Sequence, residues 1–200
     1  MKNNVKEMVD VSFDLKGNYL QSGYQFALWQ DLVRCLPWLE QEELAGLLHL
    51  PSLSGSVDLS LPQRAKLILR VPSSLAEQAR KLSGQQLKFA SGLLQVGAAR
   101  DRILRPCNTL HAHLVEGVER EDEFLDHIAA NLNETGIACK WICGKRASMT
   151  DADQGIHGYS LVLHDLKPDA SLQLQYQGLS GNRHYGCGIF VQYKAITGLD

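Results

Sequence analysis

Seven histidines, one glycine-rich loop and two clusters of basic side chains are the parts of this 200-residue chain whose types suit chemistry. Histidine is the side chain whose ordinary pKa, about 6.5, lets it take and give protons near neutrality. His49 lies in LAGLLHLP, His111 and His113 lie two apart in TLHAHLV, and His184 sits beside Arg183 in GLSGNRHYGCGIF. In that last stretch Gly178, Gly181, Gly186 and Gly188 can each take positive φ, so that neighbouring N–H groups converge on a point. Such a concavity binds an anion, and Arg183 adds charge-assisted bonds to a phosphate. The plainer alternative is a tight turn between a helix and a strand. On a strand His111 and His113 share a face, where they contact a ligand, take a metal with a third donor, or simply pack. Cys139 and Cys143 are too sparse for a four-ligand zinc site and read as small buried hydrophobes.

Positive charge gathers at Arg100, Arg102 and Arg105, and again at Lys140, Lys145 and Arg146, while Glu116 to Asp126 is acidic. The net charge is −2 and the isoelectric point about 6.4, which disfavours a chain that coats itself in nucleic acid but permits a local basic face. Hydrophobic residues at 44% supply a core, and no apolar run approaches the roughly 18 residues of a membrane span. The start, MKNNVKEMVD, has no apolar stretch of a secretory leader, and five irregularly spaced cysteines suit a reducing compartment. The expected location is the cytoplasm, with no membrane partner.

The elements that must position these groups follow from periodicity. VDVSFDL and AKLILRV read as strands, Tyr24 to Leu39 as an amphipathic helix disturbed at Pro37, SSLAEQARKLSG as a capped helix, and QQLKFASGLLQVG as strands around a turn at Ser91-Gly92. LLHLPSLSGSV is loop-like with a possible short strand. The order then repeats. TLHAHLV is a strand, EDEFLDHIAANLNETG a helix, and ACKWICG and IHGYSLVLHDL are strands. DASLQLQYQG alternates as a strand would, yet its place in the order and Pro168-Asp169 at its start predict a helix; CGIFVQYKAI closes as a strand. Each half is strand, helix, strand, strand, helix, strand. The expected fold is therefore α+β, two ferredoxin-like βαββαβ units over residues 1–105 and 106–200, with a cleft between two antiparallel sheets.

The glycine loop resembles the C-terminal loop of the RAMP superfamily of CRISPR-associated RNA-binding proteins. That pattern runs glycine, apolar, glycine, a five-residue spacer with a basic residue, then glycine, apolar, glycine; here Ser180 stands at one glycine position. VDVSFDL, ALWQDLVRCLPWLE, TLHAHLV, KWICGKR, GYSLVLHDL and GCGIFVQYKAI resemble, in collinear order, the repeat-processing endoribonucleases of the subtype first named for myxobacterial loci. The resemblance implies an enzyme that cuts precursor CRISPR RNA within the repeat by 2′-hydroxyl attack, without metal or other cofactor. The products would be a 2′,3′-cyclic phosphate and a 5′-hydroxyl, and the mature RNA would stay bound. It implies further subunits of a type I-like surveillance complex as partners. His49 matches the position of the family's catalytic histidine, and Tyr24 that of an assisting tyrosine. Gly178, Gly181, Arg183, His184, Gly186 and Gly188, with Arg100, Arg102, Arg105, Lys140, Lys145 and Arg146, are the implied RNA-binding set. The alternative within the superfamily is a subunit that binds the CRISPR RNA without cutting it.

Overall fold

The structure, a computed structural model, describes residues 6–17, 19–21, 23–50, 58–62, 64–89, 92–151 and 155–193. Strand β1 (Met8–Lys16) buries Val9, Val11, Phe13 and Leu15 on one face and turns Asp10, Ser12 and Asp14 to the other, as its alternating sequence dictates. A short strand β2 (Tyr19–Gln21) leads to helix α1 (Tyr24–Cys35), whose stripe Leu28, Trp29 and Leu32 packs on the sheet. Proline at position 37 has no N–H to continue the helical ladder. The last bond runs from Leu36 N–H to Leu32 O at 2.7 Å, and the chain goes on as a 3-10 helix, Pro37–Gln41.

Strands β3 (Gly46–Leu47), β4 (Asp58–Ser60) and β5 (Lys66–Pro72) follow. Helix α2 is shorter than its sequence pattern predicts. Ser73–Leu75 forms a 3-10 turn instead of capping it with a side chain, and the α-helical part is Ala76–Arg80. Strands β6 (Gln86–Phe89) and β7 (Gly92–Ile103) form a hairpin; of the expected Ser91-Gly92 turn, Ser91 lies outside the described residues. β7 runs much further than expected and carries Arg100 and Arg102 into the sheet.

After residues 104–109 the order returns: β8 (Leu110–Glu116), α3 (Glu121–Glu134), β9 (Lys140–Thr150), β10 (Gly155–His164), α4 (Pro168–Gln177) and β11 (Phe190–Gln192). Helix α4 forms despite the alternation of Leu172, Leu174 and Tyr176, with Pro168 in its first turn, Leu174 buried, and Gly178 N–H closing it onto Leu174 O at 2.8 Å. The larger sheet has strand order β3-β5-β1-β7-β6 and the smaller β11-β8-β10-β9, all pairs antiparallel. With β6 counted as an extension of β7, each sheet places its first strand between its third and fourth, the ferredoxin-like arrangement.

Two cores lie on the helical faces. Phe13, Leu32, Leu67 and Leu69 centre the first, and Ala112, Phe124, Leu161 and Phe190 the second. A third cluster joins the lobes: Phe26 of α1 meets Leu114, Met149, Ile156 and Cys187. The opposite faces of the two sheets flank a cleft. Among the described residues no helix is long and apolar enough to cross a membrane.

Candidate active site between the lobes

The register across the first sheet builds one wall. Asp10 of β1 sits opposite Arg70 of β5 and Arg102 of β7, so the three share the face turned from the core. The next such row holds Ile68, Ser12 and Arg100. The second sheet presents His111 and His113 of β8, whose neighbours Leu110, Ala112 and Leu114 are buried on the other side. Between the walls lies a cavity of about 890 Å³ lined also by His49, Arg105, Gly186 and Val191.

Three imidazoles meet there. The ring of His49, on the loop after β3, stacks on that of His113 with centroids 3.8 Å apart and planes 19° from parallel. His111 stands edge-on to His113 at 6.3 Å and 87°. His49 and His113 are exposed to solvent at the cavity wall while protein surrounds them on the remaining sides. This partial enclosure, followed by the neighbouring His113 and His111, brings His49 down to about 4, and enclosure likewise lowers His111 and His113. Face-to-face rings do not aim their nitrogens at a common point, and the described residues contain no group of three or more His, Cys, Asp or Glu placed to hold a metal. The sequence had placed His111 and His113 on one face; that they meet His49, from the other lobe, depends on how the two sheets dock.

Tyr24, expected beside the reaction, is only 5% exposed, and its hydroxyl accepts the N–H of Leu50 at 3.0 Å. Burial pushes its own ionisation far above the usual tyrosine range. The side chain therefore anchors the residue next to His49 from within the core.

The glycine loop also differs from expectation. Arg183 is 6% exposed and turned inward, donating Nε to Leu44 O at 3.2 Å, Nη1 to Gln177 O at 2.8 Å and Nη2 to Tyr176 O at 3.2 Å. Burial, and then the nearby Arg70, draws its guanidinium down to about 10, still cationic at neutral pH. Residues Arg183–Tyr185 form a 3-10 turn seated on α1: His184 stacks on Trp29 at 4.5 Å, and Tyr185 meets Phe26 at 4.6 Å. The amides of Leu179, Tyr185, Gly186, Cys187 and Gly188 all donate to carbonyls within the protein, so they form no open anion nest.

The glycines serve close packing instead. Gly186, at φ 96°, passes so near β3 that a Cβ there would lie 2.9 Å from Leu47 O, two residues before His49. A Cβ at Gly178 would fall 2.2 Å from Arg183 Nη1 and 2.3 Å from Gly188 O. Gly181 has no such neighbour, and of the loop's expected RNA-binding residues Gly186 alone lines the cavity.

A second arginine, missed from the sequence, ties the lobes. Arg70 is 1% exposed and grips Asp10 with Nε at 2.7 Å and Nη2 at 3.0 Å, while its Nη1 donates to Phe190 O at 2.6 Å and Gln175 O at 3.1 Å across the lobe boundary. The only signal for it was a charge inside the apolar run AKLILRV.

Of the six basic residues outside the loop, Arg102 and Arg105 line the cavity. Arg100 is on the same sheet face as Arg102. Lys140 and Arg146 lie on the edge strand β9, paired with Asp165 at 2.9 Å and Glu119 at 3.1 Å, and Lys145 is exposed beside them. Cys139 and Cys143 pack half-buried against the second core, which raises both thiols.

Comparison with known proteins supplies context for this arrangement. The family described as Cas6 Crispr matches residues 9–195. A CRISPR-associated endonuclease Cas6 of Myxococcus xanthus (strain DK1622) is 29% identical over 190 residues, 94% of this chain and 83% of that one. A solved structure described as CRISPR associated protein Cas6 superposes with a TM-score of 0.65 at 11% identity, over 94% of this chain and 100% of the other. Thermus thermophilus Cse3, solved with an RNA representing a pre-cleavage complex, superposes with a TM-score of 0.53 at 13% identity, over 92% and 98%. At these identities the two superpositions show a shared fold alone.

Proposed function

The chain belongs to the Cas6 CRISPR family, and from that premise we propose that it is an endoribonuclease that cuts precursor CRISPR RNA within the repeat. The observation that carries this reading is the meeting of His49 with the histidines of the second lobe in a cleft also lined by Arg102 and Arg105. A ribose 2′-hydroxyl supplies the nucleophile, so the protein has three tasks. It must remove that proton, give one to the departing 5′-oxygen, and hold the phosphate in line. Imidazoles perform the first two, and the guanidinium groups of Arg102 and Arg105 suit the phosphates on either side of the cut. The products are a 2′,3′-cyclic phosphate and a 5′-hydroxyl, and the chemistry has no step that calls for a metal.

RNA gripped mainly through its backbone and shape fits a cleft whose cations line one wall. The family premise extends to retention of the processed RNA and assembly with other subunits of a surveillance complex in the cytoplasm. The test is incubation of the protein with its own repeat RNA in EDTA, followed by analysis of the ends. Site-specific cleavage leaving a cyclic phosphate is expected. Tight, salt-sensitive binding with the RNA left whole would instead mark a subunit that only holds the RNA.

A further inference from the structure

The stacked histidines belong to different lobes, and their spacing bears on how the labour of the reaction is divided. In an in-line displacement the attacking and leaving oxygens sit on opposite sides of phosphorus. Two-metal nucleases place their ions about 3.5–4 Å apart to serve that pair of oxygens. The His49 and His113 rings are 3.8 Å apart and close to parallel, so their cavity-facing edges are spaced for the same two oxygens. Both rings are open to the cavity. A stack of this kind offers one imidazole to each end of the breaking linkage.

Resting on the reading of the chain as an RNA-cutting enzyme, we propose that His113 is the second catalytic residue, the general acid that protonates the 5′-oxygen while His49 acts as the base. In the step, the neutral His49 ring takes the proton of the 2′-hydroxyl as the O2′–P bond forms. The P–O5′ bond breaks, and the protonated His113 ring passes its proton to O5′. One proton has moved from His113 to His49 by the end, and exchange with solvent resets the pair.

The surroundings favour this assignment. Facing the two rings are His111 and, in the same cavity, Asp10, Arg70, Asp101, Arg102 and Arg105, with Tyr193 beside His111. Asp10 is matched by Arg70, and Asp101 by Arg80 at 2.5 Å, so Arg102 and Arg105 set the local field as cations. With no RNA bound, enclosure by the protein, and then the neighbouring His113 and His111, keep His49 neutral, the form a base requires. An arriving phosphodiester brings negative charge and draws a proton onto one ring of the pair, since two adjacent imidazolium rings repel.

The test uses repeat RNA in which sulfur replaces the bridging 5′-oxygen at the cut, a leaving group that departs without a proton. On ordinary RNA, His113→Ala should slow single-turnover cleavage roughly 10²–10⁴-fold, the range of one acid or base. On the sulfur-bridged RNA the same variant should approach the wild-type rate, while His49→Ala should stay slow on both. Unchanged binding of an uncuttable repeat with 2′-deoxyribose at the cut site shows that the cleft remains intact, and His113→Asn serves if the alanine variant misfolds. The assignment is overturned if the His113 variants cut ordinary RNA within about threefold of wild type, or are equally slow on both substrates. A wild-type protein that fails to cut ordinary repeat RNA removes the enzymatic reading itself, a separate result.

Discussion

Replacing Arg70 with methionine tests how the lobes are held. The substitution keeps an unbranched stem of similar reach and removes the cation, leaving Asp10, itself 4% exposed, with its carboxylate buried and unmatched. Breaking a buried pair from one side costs about 3–5 kcal/mol. Phe190 O and Gln175 O lose their donor as well, adding on the order of 1 kcal/mol. The expected loss is therefore about 4–6 kcal/mol, against a total of about 5–15 kcal/mol for a folded domain. For a chain of 200 residues that lowers the melting temperature by roughly 10–20 °C. Urea and thermal unfolding followed by circular dichroism measure it. A second substitution, Asp10→Leu, removes the stranded charge, so the double variant should recover at least about half of the loss. A single variant within about 1 kcal/mol of wild type, or a double variant no better than the single, would refute the view that Arg70 ties the lobes as a buried cation matched by Asp10.

Tyr24→Phe should lower stability by about 1–3 kcal/mol by leaving the Leu50 N–H unmatched, and should shift the cleavage rate without moving its pH profile. A loss of acid or base character in that profile would put the tyrosine in the chemistry. Acid should destabilise the free protein between about pH 6.5 and 4, because His49 binds a proton more readily unfolded than folded, so stability rises with pH across that window. His49→Asn should make that part of the stability–pH curve shallower, with His111 and His113, also lowered, supplying the remaining slope; an unchanged curve would show that the His49 ring is not depressed.

Local pattern carried the architecture far. Alternation in VDVSFDL and TLHAHLV and the spacing of Phe124, Ile128 and Leu132 depend on neighbours in sequence, and those elements stand where they were expected. The order of elements even prevailed over the strand-like alternation of Leu172, Leu174 and Tyr176, because a ferredoxin-like unit needs its second helix at that point. Long-range register was not legible. Arg183 looked like a phosphate ligand because glycines and a cation in a row suit an anion, yet carbonyls of residues 44, 176 and 177 take its donors. Arg70 gave no hint of bridging two lobes. His113 read as one of a pair on a strand, and its stacking on a residue 64 positions earlier depends on packing that no local period encodes.

The close approach of Gly186 to Leu47 O, and of Gly46 to Arg183 O, where a Cβ would come within 2.8 Å, means that the segment leading to His49 is held against the loop of the second lobe by main-chain atoms meeting main-chain atoms. Side chains elsewhere on the cleft walls can then vary to follow a changing repeat, while the distance between the two imidazoles stays fixed. On the proposed function, recognition is free to diversify around a histidine pair whose placement is written into the backbone.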